Sequence, residues 1–131
     1  MIFIDSDIPM YLVGAAHPNK IAAQRALERC IAGNERMVTS AEVVQEILNR
    51  YAAIKRLDAV EPTLRALLAI VDEVYSIELA DVERAKDVLL GRVPLSARDA
   101  LHVAVMKRHD IERILSFDAG FDALSWIQRV S

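Results

Sequence analysis

Three short apolar runs of this chain end in, or lead to, an acidic residue. Met1-Ile2-Phe3-Ile4 runs into Asp5, Arg113-Ile114-Leu115-Ser116-Phe117 runs into Asp118, and Met37-Val38-Thr39 leads into a helical segment carrying Glu46. A parallel sheet gathers the carboxyl ends of its strands along one edge, and ligands bind in the crevice there, so residues distant in sequence converge at that edge. Asp99, at the start of another helical segment, can join them. Carboxylates packed together repel one another and resist ionisation, and a bound hard cation reverses that balance. The chemistry these residue types point to is a divalent metal site.

Each acidic residue also has an ordinary reading. Asp5 and Ser6 can cap a short helix after the first strand, because their side chains accept from the orphan amides of a first turn. Ser96-Ala97-Arg98-Asp99 fits a capping box. Glu46 can pair with Arg50 at i+4, and Asp118-Ala119-Gly120 can be an Asx turn leaving a strand. It is the conjunction of the four that argues for a cluster.

The elements that must position them follow an alternating pattern. Strand candidates are Ile2-Ile4, Met37-Thr39, Val74-Ile77, Ile114-Phe117 and the weaker Ile127-Val130, separated by helical patterns near 20–32, 41–56, 62–71, 80–90 and 97–108. Such alternation predicts a mostly parallel central sheet with helices on both faces. At 131 residues the chain suits one domain with a proper core and is short for two. The pair of helices between 41 and 71 has no strand between its members and is expected to project as a hairpin rather than serve as a crossover, offering a partner surface.

Helical projection separates Glu46 from Glu42. Val43, Val44, Ile47, Leu48, Tyr51 and Ile54 define the expected buried stripe. Glu46 falls roughly 60° beyond its edge and Glu42 roughly 100°, so Glu46 is the better placed to look into a crevice. Asp99 lies in line with Val103 and Met106 on a helix that is apolar nearly all round. A carboxylate on that row is partly desolvated, which is costly without compensation.

Composition excludes several classes. With 53% hydrophobic and 27% charged residues the chain is ordinary globular protein, without the signature of disorder. A formal net charge of −3 gives no global attraction to nucleic acid, so a polyanionic substrate needs local help. Basic residues cluster at Arg50, Lys55 and Arg56 and at Lys107, Arg108 and His109, runs that usually face solvent. The one cysteine, Cys30, forms no internal disulfide and suits a buried thiol in a reducing compartment. The opening residues lack a signal sequence, and no apolar run approaches the roughly 20 residues of a membrane span, so a cytoplasmic protein without membrane contact is expected. No P-loop, metal-spaced Cys/His set or glycine-rich nucleotide fingerprint competes with the acidic residues. His17, His102 and His109 read as structural or surface residues.

Taken together, Ile4-Asp5-Ser6, Val44-Gln45-Glu46-Ile47-Leu48, Ser96-Ala97-Arg98-Asp99-Ala100-Leu101-His102 and Ser116-Phe117-Asp118 resemble a PIN-domain ribonuclease. The resemblance is closest to the toxins of VapBC-type toxin–antitoxin pairs, spans nearly the whole chain, and is most specific from Ser96 to His102. It implies a single PIN-like domain over 1–131 with a three-layer α/β/α fold. It also implies an acidic quartet at Asp5, Glu46, Asp99 and Asp118, with Asp122 as an occasional fifth member. One position departs from the pattern: Asp7 stands where the family usually has a small polar residue such as Asn or Ser, adding a further charge.

Hydrolysis of a phosphodiester needs an activated water and stabilisation of phosphorane-like charge, and one or two Mg2+ or Mn2+ ions held by carboxylates supply both. On this reading Asp5 and Asp99 ligate directly or through water, Glu46 ligates or orients the attacking water, and Asp118 serves a second, weaker metal position. Ser6 hydrogen-bonds a ligand or phosphate oxygen, with Asp7 and Ser96 as further support. The expected partners are an RNA substrate, a small antitoxin and a second copy of the chain. Two alternatives stand beside this: a haloacid-dehalogenase-type phosphotransferase using Asp5, suggested by Asp5-Ser6-Asp7, and a non-catalytic partner-binding module.

Overall fold

The computed structural model describes residues 1–131. Five strands, β1 (Ile2–Ile4), β2 (Met37–Ser40), β3 (Glu73–Tyr75), β4 (Arg113–Leu115) and β5 (Gln128–Val130), form one parallel sheet in the order β3-β2-β1-β4-β5. Helices α1 (Asp7–Val13), α2 (Pro18–Ala32), α3 (Ala41–Ala53), α4 (Val60–Ile70), α5 (Leu79–Leu90) and α6 (Ala97–Arg108) fill the connections. Ile2, Phe3 and Ile4 on the central strand are fully buried, the uninterrupted apolar run of a strand covered on both faces. This is the α/β/α arrangement expected from the alternating pattern.

The topology creates the crevice. From β1 the chain winds outward to β3, then returns to lay β4 against the other side of β1. β1 and β4 therefore flank the point where the strand order reverses, and a crevice opens beyond their carboxyl ends. Ile4 stands opposite Leu115, and the Asp5 N–H donates to the Leu115 carbonyl at 3.1 Å. Asp5 and Ser116 thus leave the sheet side by side.

Two expectations are corrected here. The helix pair α3 and α4 is the crossover itself: β2 and β3 are parallel neighbours, and a parallel return requires a connection of this length. α4 packs on both α1 and α3, and the Tyr51 and Thr63 hydroxyls meet at 3.1 Å in the buried seam of the pair. The buried face of α3 is also turned from its expected stripe. Val43, Ile47 and Tyr51 are buried as expected, but Leu48 is exposed and Ile54 is 62% exposed, while Glu46 takes an interior place.

The short helix after β1 forms as α1. Helix α6 is the most enclosed, with Ala100 and residues 102–106 all buried. α5 covers it and is tied down by an ion pair in which the exposed Arg108 donates to the buried Asp81 from Nε at 2.8 Å and from Nη2 at 2.9 Å. Cys30 is buried and free. No helix is long and apolar enough to cross a membrane.

Candidate metal centre

Asp5 lies immediately past β1, and both of its oxygens are engaged. Oδ1 accepts from the Ser6 N–H at 2.8 Å and Oδ2 from the Ser116 hydroxyl at 2.6 Å. Glu46 arrives from α3, which starts directly at the end of β2 because Ser40 caps it by accepting from the Val43 N–H. The Ser6 hydroxyl donates to Glu46 Oε1, so it is spent across the site rather than on capping α1. His102 reaches the same point from α6, with Nε2 3.6 Å from Glu46 Oε1 and 3.8 Å from Asp5 Oδ1. Asp5, Glu46 and His102 are all buried, and their donor atoms lie within 4.8 Å of one another.

Around this inner set stand three more carboxylates. Asp7 Oδ2 accepts from the Phe117 N–H at 2.9 Å, leaving a buried Oδ1 without a partner. Asp118 closes an Asx turn, its Oδ1 accepting from the Gly120 N–H at 2.8 Å; a Cβ at position 120 would sit 3.0 Å from that oxygen, so glycine leaves the turn its room. The Asp99 N–H donates to Ser96 Oγ at 3.1 Å, but its carboxylate makes no return bond to the cap. The capping box is therefore only half formed, and the Asp99 carboxylate is left to face Asp118 and Asp5.

The electrostatics follow from that crowding. Burial, and then the charge of Asp5, push Asp7 up to about 7, and burial with the nearness of Asp118 and Asp5 does the same to Asp99. Asp5 is raised as well, chiefly by burial, with His102 and Ser116 working against the rise. Glu46 goes the other way: burial raises it, but His102 and the Ser6 hydroxyl together hold it below the usual range. Burial opposes the charge on His102, yet Glu46, Asp5 and Asp99 raise its pKa.

The donor set fits a hard cation. Five carboxylates from four segments converge, and three buried polar atoms, Asp7 Oδ1 and both ring nitrogens of His102, lack any hydrogen-bond partner. Buried polar atoms are normally satisfied; a divalent ion among these oxygens would relieve the repulsion and engage the open Asp7 oxygen. Beside the cluster opens a cleft of about 590 Å³ whose walls include Asp7, Asp118, Tyr11, His17, Phe117 and Arg50.

Comparison with known proteins places this geometry. The family model of the PIN domain matches residues 2–127. The chain belongs to the PIN-domain family. Ribonuclease VapC13 of Mycobacterium tuberculosis is 58% identical over 131 residues, all of both chains. Among solved structures, VapC20 of M. tuberculosis, a sarcin–ricin loop cleaving toxin, superposes with a TM-score of 0.77 at 24% identity over 94% of each chain. A toxin–antitoxin complex from Klebsiella pneumoniae gives 0.69 at 19% identity, covering 98% of this chain and 96% of that one. These two share the PIN fold.

In this PIN domain the residues expected from sequence divide cleanly. Asp5 and Glu46 form the buried centre with Ser6, while Asp99, Asp118 and Asp7 line its outer side; Ser96 acts as the cap of α6. Asp122 is not brought to the cluster: Arg129 holds it by two hydrogen bonds of 3.0 Å, facing solvent. His102, expected to be a structural or surface residue, instead enters the site, and Ser116, to which the sequence assigns no role, holds Asp5. His102 sits three residues after Asp99, the spacing that puts two side chains on one helix face, and Ser116 is the first residue past β4. Membership of the PIN family displaces the phosphotransferase alternative, which in any case needs an Asp5 oxygen open to attack a phosphate.

Proposed function

We propose that this chain is a divalent-metal-dependent endoribonuclease acting as a single domain over 1–131, the toxin of a type II toxin–antitoxin pair in the cytoplasm. The observation that carries the reading is the convergence of Asp5, Glu46, Asp99 and Asp118 at the β1/β4 edge of a chain 58% identical over its full length to a named ribonuclease. Asp5, Asp99 and Asp118 are the residues that would hold Mg2+ or Mn2+. Such an ion, when bound, supplies a Lewis acid for the phosphodiester and lowers the pKa of water.

The remaining work falls to the chain. Ser116 and the Ser6 N–H clamp Asp5 in one rotamer, so that it presents a fixed charge at the strand end. Glu46 stays ionised next to His102 and can accept a proton from the attacking water, the general-base role of a carboxylate within reach. The buried walls of the centre exclude bulk water and strengthen each of these interactions.

The partner reading rests on α3 and α4. Ile54 and Leu57 in the turn joining α3 to α4, and Leu68 on α4, are each more than half exposed, a surface suited to a small antitoxin whose basic side chain reaches the acidic edge. A homodimer completes the proposal. Light scattering at high concentration that returned monomer alone would remove the dimer, and inhibition that failed to weaken with rising metal would remove the basic side chain.

The deciding experiment is incubation of the purified chain with a mixed RNA pool in Mg2+, in Mn2+ and in chelator, followed by end-group analysis. The expected products carry a 5′-phosphate and a 3′-hydroxyl, and chelator abolishes them. A 2′,3′-cyclic phosphate, or activity that survives chelation, overturns the proposal.

A further inference from the structure

The cleft beside the acidic edge contains residues that the metal chemistry leaves unused. Tyr11 on α1 and Phe117 past β4 meet edge to face, with ring centroids 5.4 Å apart and planes at 87°. His17 lies 5.0 Å from Tyr11, and its exposed ring is locked in place: Nδ1 accepts from the Asn19 N–H at 3.0 Å, capping α2. That bond leaves the proton of the neutral ring on Nε2. Asn19 uses its backbone for the cap and keeps its side-chain amide for other partners. Arg50 enters the same cleft one turn beyond Glu46 and takes part in none of the ion pairs of the chain.

Resting on the ribonuclease reading, we propose that this cleft is the subsite for the nucleotide adjoining the scissile phosphate, its base stacked on the Tyr11 and His17 rings, its phosphate on Arg50 and its base edge read by Asn19. Single-stranded RNA is recognised by stacking on aromatic side chains and by hydrogen bonds to splayed-out base edges, and the cleft offers both within one wall of the acidic centre. Its volume of about 590 Å³ falls in the range of about 300–1,000 Å³ found for small-ligand sites, room for one nucleotide and not for a duplex. Charge sets the orientation. Arg50 is the one lysine or arginine lining the cleft, so the non-scissile phosphate turns to it while the base goes to the aromatic side.

The test uses the full chain, a pool of random single-stranded RNA decamers and the variants Tyr11→Ala, Tyr11→Phe, His17→Ser, Asn19→Ala and, as control, Ile31→Ala. Serine at position 17 keeps a helix cap while removing the ring. In Mg2+ or Mn2+, sequencing of product ends should show wild type, Tyr11→Phe and Ile31→Ala cutting with one shared base preference beside the cleavage point. Tyr11→Ala and His17→Ser should raise KM by about tenfold with kcat held within about twofold, and Asn19→Ala should flatten the base preference. Fluorescence anisotropy with the labelled pool in an Asp99→Asn background should report the same loss of affinity without any cleavage.

Unchanged KM, base preference and anisotropy in both Tyr11→Ala and His17→Ser would overturn the subsite. So would wild-type RNA cleavage by these variants accompanied by lost inhibition from a peptide partner, which would assign the cleft to protein. Failure of the ribonuclease reading looks different, since wild type would then leave the pool intact in both metals and the subsite would fall with it.

Discussion

His102 Nε2 lies 3.6 Å from Glu46 Oε1, deep enough that the ring has no exposed surface and the glutamate almost none. The imidazole is the buried cationic group nearest Asp5 and Glu46, and it stands in for the charge a metal would bring. Removing one partner of a buried pair leaves the other uncompensated and costs about 3 kcal/mol or more. His102→Leu is therefore expected to lower the melting temperature in chelator by roughly 10 °C. Mg2+ should restore more of that stability to the variant than it adds to wild type. Equal metal-induced shifts in the two proteins would refute this.

The same crowding gives the metal-free protein a pH dependence of definite sign. Asp7 and Asp99 are pushed up to about 7 in the folded chain from the ordinary aspartate value of 3.8, so between those values the native state holds more protons than the unfolded one. Stability then falls as pH rises from about 4 to about 7. His102, raised above 6.5, acts in the same sense, contributing stability that is lost as pH climbs through its folded pKa. Allowing for the partial exposure of both aspartates, the combined loss is on the order of 2 kcal/mol. Urea unfolding at pH 5 and pH 8 in chelator measures it, and Asp99→Asn should flatten the slope and be the more stable protein at pH 8. A wild type more stable at pH 8 would contradict the crowding.

What the sequence made legible was whatever depends on a strand end or a helix register. Asp5 and Asp118 follow apolar runs that have to be central strands of a parallel sheet, and the projection of α3 separates Glu46 from Glu42 without any coordinates. What it hid depends on tertiary closure. The stripe of α3 turned because Glu46 faces His102 and Ser6 across the site, leaving Ile54 in solvent, and no periodicity carries that information. The half-formed capping box of α6 is hidden for the same reason: Ser96 keeps its bond to the Asp99 N–H, while the carboxylate is drawn to a cluster assembled from three other segments. The crossover role of α3 and α4 follows only from β3 pairing with β2. Asp122, which the resemblance implies as an occasional fifth member, is captured by Arg129 on the neighbouring strand.

That capture makes Asp122 a sharp contrast to Asp118. Its carboxylate is exposed and its ion pair with Arg129 sits at the surface, where such pairs contribute about 0–1 kcal/mol. Asp122→Ala is expected to leave cleavage rates within about twofold and stability within about 1 kcal/mol. Asp118→Asn should reduce metal affinity measurably by calorimetry. If Asp122→Ala weakened metal binding as much as Asp118→Asn, the geometric division between the two residues would be wrong.

Glu42 and Glu46 provide a kinetic version of the same contrast on one helix. Glu42 lies on a groove with Val82, Lys86 and Arg98, away from the acidic edge, whereas Glu46 touches Ser6 and faces His102. Loss of a positioned base or charge at a reacting centre typically reduces rate about 10²-fold or more. Glu46→Gln should show that loss in kcat, and Glu42→Gln should match wild type in kcat and KM. Comparable defects in both would mean that the helix register assigned to the site is not the one that operates.

The last expectation concerns the support behind the site rather than the site itself. Asp81 is 1% exposed, accepts two hydrogen bonds from Arg108 and closes a capping box with Glu78 at the start of α5. Arg108 also donates to the Ser76 carbonyl at 2.8 Å, so one guanidinium pins α5 and the segment before it to the end of α6. Because α6 carries Asp99 and His102 at its other end, loosening this anchor should act on the whole fold before it acts on chemistry. Arg108→Met leaves a buried carboxylate without its cation and is expected to cost about 3 kcal/mol. Any folded enzyme below its melting point should still cleave at the wild-type sites. Unfolding by urea checks the first part and product-end sequencing the second. Cleavage at new sites by the folded variant would mean that Arg108 shapes substrate choice instead of only holding α5 to α6.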